Sequence, residues 1–212
     1  RALFNVFEQS SIGVIATNGN PLGPESNSLL GTDFNFVTTD LSGGRTLSGN
    51  AWFQQTFTGG EEDSDATAMG ARISYPNDIV NWRLGWARIG SDYFPALGFV
   101  QRTGIHELFG GGRYRWRPDS PLVRTIDLGV GGFMVTDLDL EIESMDLEFE
   151  VPKIQFERGD EIYLEYGIQQ EVPTQDFLVA NQLLVPAGNY TWSRVEAGFE
   201  TTSKEPVEIG GS

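Results

Sequence analysis

Carboxylates are the residues whose type and spacing in this sequence could do chemistry. Asp146, Glu148 and Glu150 alternate along one stretch, so in an extended strand they share a face. Such a row could bind Ca²⁺ through hard oxygen ligands or supply the acid and base of a glycoside hydrolase. Because the chain has 30 Asp plus Glu against 14 Lys plus Arg, a solvated or lumen-facing acidic stripe is the simpler interpretation.

Three further candidates are the single histidine, His106, its neighbour Glu107, and Asp92 in the predicted loop before them. A Ser-His-Asp triad would have to use His106, and no Gly-x-Ser-x-Gly elbow accompanies it. A zinc site would need more His or Cys than one histidine and no cysteine provide. The sequence therefore offers no assigned catalytic residue and predicts no cofactor, with Ca²⁺ as the one alternative.

The charge balance limits the partners. A net charge of −16 disfavours nucleic acid, which needs basic patches, and it suits a cation-preferring surface or lumen. No apolar run is long enough for a transmembrane helix, and the first residues do not have the pattern of a signal peptide. If the chain enters a membrane, a closed barrel is the structure that satisfies its backbone.

Period-two alternation broken by Gly, Asn, Asp and Pro runs along nearly the whole chain. It predicts strands at 2–8, 10–17, 28–39, 46–58, 66–75, 79–89, 105–117, 122–136, 141–156, 161–171 and 189–201. The predicted loops include an acidic tip at 59–65 and two longer loops at 90–104 and 172–188. No linker divides the chain, so residues 1–212 are predicted to form one domain.

The predicted strands are long and have two unlike faces. Leu30, Phe34 and Phe36 share one face of their strand, whereas Asp33 and Asn35 share the other. The same division separates Phe53 from its neighbours Trp52 and Gln54, and it places Trp82, Leu84 and Trp86 together. Strands of this length exceed those of ordinary sheets and suit membrane barrels. The fold class predicted is all-β, an antiparallel up-and-down meander of about 10 to 11 strands that closes into a β-barrel.

Four segments resemble a known family. They are SSIGVIATNGNP at 10–21, NSLLGTDFNF at 27–36, DYFPALGFVQRTG at 92–104 and VPAGNYTW at 185–192. In this order they resemble the C-terminal outer-membrane-type barrel domain of unknown function found behind family-9-like carbohydrate-binding modules, in bacterial proteins labelled membrane-associated hydrolases. The resemblance implies a barrel and carries over no catalytic residue.

The chain departs from that family in two ways. The carbohydrate-binding module is absent, and the end at 207–212 is not the terminal aromatic strand of an outer-membrane barrel. We therefore expect a fragment of a longer barrel, whose partners are membrane lipid or chains that complete the sheet.

These observations lead to three functional hypotheses. The first is a barrel domain of the bacterial outer membrane or cell surface that acts as pore, anchor or scaffold. The second is a secreted, soluble, carbohydrate-active protein, a glycosidase-like hydrolase that uses two of the carboxylates. The third is a structural subunit of a surface assembly. Whether the protein is an enzyme stays open, and the first hypothesis makes it a non-enzyme.

Overall fold

A computed structural model describes residues 1–60, 64–179, 183–202 and 210–211. Within these residues the chain is all-β, and its strands follow one another in an up-and-down meander. No helix among them is long and apolar enough to cross a membrane. Twelve strands form one sheet in the order β1-β2-β3-β4-β5-β6-β7-β8-β9-β10-β13-β14, and β11 pairs with β12.

The strand bounds are β1 Ala2–Val6, β2 Ser10–Asn18, β3 Asn27–Leu41, β4 Arg45–Thr58, β5 Thr67–Pro76, β6 Val80–Ile89, β7 Ile105–Trp116, β8 Val123–Asp137, β9 Ile142–Phe156, β10 Glu161–Glu171, β11 Phe177–Val179, β12 Leu183–Val185, β13 Tyr190–Glu200 and β14 Gly210–Gly211. The predicted antiparallel meander is confirmed, and closure into a barrel stays a prediction.

The structure adds strands that the sequence did not predict. The predicted loop 172–188 contains the β11–β12 hairpin, in which Leu178 pairs with Leu184. Part of that loop, residues 180–182, lies outside the described residues, as do residues 61–63 of the predicted acidic tip and most of the chain end at 207–212.

Connections between successive strands alternate in length. The turns at 7–9, 42–44, 77–79 and 157–160 are short, and 117–122 is only slightly longer. The connections at 19–26, 59–66, 90–104 and 172–189 alternate with these turns and are long. The connection at 138–141 belongs to the same set by position, but it is short. In an antiparallel meander, alternate connections leave from the same ends of the strands, so the long loops share one set of strand ends.

By their contacts the residues fall into two compact units. Unit 1 comprises residues 1–76, 83–108 and 135–141, and unit 2 comprises residues 77–82, 109–134 and 142–212. Three of the boundaries, at 82/83, 108/109 and 134/135, lie within strands. The single domain expected from the sequence stays a prediction.

In unit 1 the two sheet faces differ in polarity and in exposure. Asn35 pairs with Asn50, and Asp33 pairs with Trp52, so the polar side chains of β3 and β4 share one face and are half-buried. The opposite face carries large apolar side chains that are exposed: Leu30, Phe34, Phe53, Phe57, Leu84 and Trp86. Phe36 and Trp82, which the sequence placed on this kind of face, are half-buried. The apolar side chains are thus the more exposed ones.

Unit 2 shows the same inversion. Glu165 lies across from Glu150 and Glu196 on one face, whereas Ile162, Leu164, Tyr166, Val195 and Phe199 are exposed on the other. Among the described residues of this unit, the buried side chains other than glycine are polar: Thr125, Asp127 and Ser144. Water-soluble folds mostly bury apolar side chains and expose charged ones, whereas this face of unit 2 exposes large apolar side chains and the opposite face half-buries its carboxylates.

Glycines on the polar face make room for large side chains. A Cβ added at Gly70 would lie 2.8 Å from Trp52 Nε1 and 2.9 Å from the backbone oxygen of Trp86. The indole nitrogen can move aside, but the neighbouring backbone oxygen cannot do so without shifting its strand.

Gly70→Ala should therefore destabilise the protein by about 1 to 3 kcal/mol through overpacking. Ala71→Val is the matched control, because Ala71 is exposed on the opposite face and should change stability by less than about 0.5 kcal/mol. Urea unfolding of the purified protein measures both. Equal midpoints for Gly70→Ala and the unsubstituted chain would contradict this account of the glycine.

Candidate functional site

Unit 1 contains an ion-paired network at the ends of β5 and β6. Arg88 donates from both terminal nitrogens to Asp65, at 2.9 and 2.8 Å, a bidentate geometry that fixes both side chains. Ser91 N also donates to Asp65 Oδ2, at 3.3 Å. The hydrogen bond from Arg88 is the main reason that the pKa of Asp65 lies below its ordinary value.

Asp92, a catalytic candidate from the sequence, belongs to this network as an acceptor. Its Oδ2 receives the Ser64 hydroxyl at 2.9 Å and the backbone N–H groups of Ser64 and Asp65 at 3.1 and 3.0 Å. These bonds, with that of the Ser64 hydroxyl the largest, lower the pKa of Asp92. A carboxylate held ionised by backbone donors joins the 90–104 loop to the loop before β5.

Unit 2 contains an Arg–Asp network centred on Asp127. Arg115 donates to both oxygens of Asp127, at 2.8 and 2.7 Å, and the Asp127 side chain is only 6% exposed. Arg117 forms a second bidentate pair with Asp78, at 2.7 and 2.8 Å. The Arg117 bond is the largest cause of a lowered pKa at Asp78, which lies in the 77–79 turn.

A third arginine lies on the same side of β7. Arg113 approaches Asp127 at 4.0 Å, and its Nε is buried without a hydrogen-bond partner among the described residues. Alternate positions on a strand share a face, so Arg113, Arg115 and Arg117 form a basic row.

Asp146, Glu148 and Glu150 lie on one face of β9, in register with Gln169, Gly167 and Glu165 of β10. Asp146 accepts from Gln169 Nε2 at 2.6 Å, and Gln169 Oε1 in turn accepts from Trp192 Nε1 at 2.6 Å. Glu148 forms a half-exposed ion pair with Arg194 at 3.5 Å. The carboxylates that the sequence placed on one face therefore line a polar, partly compensated stripe.

His106 and Glu107, the other two candidates, are consecutive in β7 and so point to opposite faces. The His106 ring stacks on Trp86, with centroids 5.9 Å apart and planes at 23°, and Trp86 is exposed on the apolar face. The Nδ1 atom of His106 is buried without a hydrogen-bond partner in the described part of the chain. His106 therefore lies away from the polar face, whereas Glu107 is half-buried on it.

Within the described residues, no group of three or more His, Cys, Asp or Glu side chains is placed to hold a metal ion. The acidic stripe is instead interleaved with Arg194, Lys153 and Gln169, which take up carboxylate oxygens as partners.

Sequence reasoning missed the Arg–Asp networks of both units. One signal was present, since the arginines at 113, 115 and 117 alternate like strand residues of one face. Their partners Asp127 and Asp78 come from other segments, and only the strand register brings them together.

The sequence matches no family model, no curated protein and no solved structure at a significant level. The family resemblance described above stays a prediction.

The Asp127 network leads to a stability prediction. Asp127→Asn removes the bidentate carboxylate partner of Arg115, which is 24% exposed and keeps only Asp78 at 3.6 Å. The variant should destabilise the fold by about 2 kcal/mol, because a largely buried cation is left less well compensated. Glu157→Gln is the control, since its ion pair with Arg124 is about half exposed on both sides and such pairs contribute less than about 1 kcal/mol. Urea unfolding compares them, and an equal loss in both variants would contradict the assignment.

The Asp92 cluster leads to a pH prediction. Since the pKa of Asp92 is lowered on folding, its contribution to stability is present above the unfolded value of about 3.9 and disappears as the pH falls through the lower folded value. Exchange of the Ser64 and Asp65 amide hydrogens, corrected for the intrinsic rate, should stay slow at pH 4 and accelerate only below it.

In Asp92→Asn the same amides should be less protected at neutral pH, and the acid step should vanish. Asp65 and Arg88 stay paired in that variant, and the pKa of Asp65 is lowered as well, so a step supplied by Asp65 would survive there. An acid step that survives in Asp92→Asn would assign the titration to another group.

Proposed function

We propose that this protein is a β-barrel of the bacterial outer membrane whose apolar face contacts lipid and whose polar face lines an aqueous passage. The predicted anchor and scaffold roles use the same lipid-facing sheet. The proposal includes the closure of the meander, because an open edge in lipid would leave backbone groups without partners.

The inversion of the two sheet faces is the observation that carries the proposal. Leu84 and Leu30 are 56% and 54% exposed, whereas Asp127 and Asn27 are 4% and 2% exposed. In water such an arrangement is unfavourable, because a large apolar area stays in contact with the solvent. Lipid favours it, because membrane barrels alternate apolar side chains outward and polar side chains inward.

Strand length and loop length support the same proposal. Strands β3, β8 and β9 each have 15 residues, and about 9 to 11 tilted residues suffice to cross a bilayer. Outer-membrane barrels have short turns at one rim and longer loops at the other. The connections of this chain follow that alternation except at 138–141.

The charge supports a preference for cations. The net charge is −16, and the polar face of unit 2 carries Glu148, Glu150, Glu165 and Glu196 close in register. A passage lined with excess carboxylates raises the local concentration of cations and lowers that of anions. Cations and small neutral solutes are therefore the proposed cargo.

Two tryptophans of unit 1 test the membrane placement. Trp86 is exposed on the apolar face, and Trp52 is half-buried on the polar face. Two variants, each retaining one of them with the other tryptophans replaced by Phe, are folded into vesicles whose acyl chains carry bromine. We expect strong quenching of Trp86 fluorescence and weak quenching of Trp52, because bromine quenches at close range.

Equal quenching of Trp52 and Trp86 would contradict the assignment of the faces. No quenching of either, in a chain that stays folded without detergent, would favour the soluble carbohydrate-active protein instead. That alternative and the surface-assembly subunit stay predictions, and the acidic stripe would be the first place to search for hydrolase activity.

A further inference from the structure

The segment 91–100, which follows β6, is held on the polar face of unit 1 by side chains of that face. Asn27 donates to the backbone oxygen of Phe94 at 2.8 Å and accepts from the backbone N–H of Ala96 at 3.2 Å. Thr56 accepts from the backbone N–H of Phe94 at 3.2 Å. Three backbone groups of a loop are thus bonded by two side chains that project from β3 and β4.

These anchoring side chains lie on the polar face, and they are fully covered. Leu29 pairs with Thr56, and Gly31 pairs with Gln54, so alternation places Asn27, Leu29, Gln54 and Thr56 on the face that also carries Asp33 and Asn35. Asn27 is 2% exposed and Thr56 is 0% exposed. Further along the same face, Arg72 is exposed, so the cover is local to the segment.

The segment also brings its own apolar side chain to this face. Tyr93 packs in a buried cluster with Leu29 and Ala68, against Ile15 and Val100, and its hydroxyl donates to Gln54. Leu29, Ala68 and Ile15, which lies opposite Gly31, are apolar residues of this face, and Trp52 packs against the same cluster. Burial of its ring raises the pKa of Tyr93, so the hydroxyl stays a donor at neutral pH.

The base of the segment is fixed as well. Asp92 accepts hydrogen bonds from Ser64 and Asp65, and Asp65 is paired with Arg88. Most surface loops satisfy their backbone with water. This one is attached through side chains at both its base and its middle, so its position on the face is specific.

We infer that residues 91–100 form a constriction loop, which folds inward over the polar face and narrows the passage at the end of the strands where the long loops leave. The inference rests on the proposed function, because a constriction requires that the polar face line a passage. In the docked position the loop excludes water and solutes from the area around Leu29, Thr56 and Ala68. Release of its anchors would widen the passage without changing the strands.

A thiol-reactivity experiment tests the docking without reference to conduction. The chain has no cysteine, so Ala68→Cys introduces a single thiol beneath the loop, where Ala68 is 1% exposed. Arg72→Cys is the matched control on the same strand and face, where Arg72 is exposed. In detergent micelles, a cationic methanethiosulfonate reagent should modify position 72 rapidly and position 68 slowly.

Release of the loop should abolish that difference. Asn27→Ala removes two loop bonds and should accelerate the reaction at position 68 by roughly ten-fold, since each hydrogen bond is worth a several-fold change in equilibrium. Asn35→Ala is the control, because Asn35 lies on the same face of β3 and bonds Asp33 and Asn50 instead. If Asn27→Ala does not fold, replacement of residues 93–98 by a glycine-serine segment of equal length serves the same purpose.

Single-channel conductance in planar bilayers then tests the constriction itself. The glycine-serine replacement should conduct more than the unsubstituted protein in the same salt. Equal reaction rates at positions 68 and 72 would overturn the docked loop, and so would a slow rate at position 68 in both release variants. Equal conductance of the two forms would overturn the constriction alone, whereas no conductance in any form would overturn the proposed passage and the constriction with it.

Discussion

The alternation of side chains along paired strands is the constraint on which the rest of this structure depends. Once β3 pairs with β4 in the observed register, Asn35 must lie beside Asn50, and Phe34 must lie beside Ala51 on the other side. A shift of one residue would exchange the two faces entirely. The apolar face contributes ring stacks such as His106 on Trp86, and the polar face adds directional contacts that help to fix the register.

The polar face supplies them through pairs that connect different strands. Arg115 of β7 holds Asp127 of β8, and Lys153 of β9 holds Glu161 of β10 at 3.0 Å. Charges that are half removed from water require a partner, so each pair penalises a slipped register. The hydrophobic effect dominates the stability of soluble domains. In this sheet it acts mainly on the apolar face, which the proposal places against lipid.

Much of the fold could be predicted from the sequence, because alternation is a local signal. The strands at 28–39, 105–117 and 161–171 were predicted within two residues of their observed bounds, since Gly, Pro and Asp turns interrupt the pattern clearly. The β11–β12 hairpin was missed because Phe177–Val179 and Leu183–Val185 are short and uniformly apolar, so they show no alternation.

The candidate site was less predictable than the fold. The shared face of Asp146, Glu148 and Glu150 follows from spacing alone, but the partners of a carboxylate depend on register between distant segments. Asp92 looked like a catalytic candidate because it is an acidic residue in a loop, and its role as an acceptor for Ser64 could not be seen without the fold. His106 was equally ambiguous until its stacking on Trp86 assigned it to the apolar face.

Leu29 shows how an exception to the pattern can carry information. An apolar residue on a polar face costs stability if it contacts water, and Leu29 is 6% exposed because Tyr93 covers it. In β3 the sequence reads Asn27, Leu29, Gly31, Asp33 along this face, so Leu29 interrupts the polar pattern near the long-loop end. A buried apolar residue in a polar face has something other than water in the space beside it. Here a segment of the same chain fills that space, so the position of the 90–104 loop depends on the face that it covers.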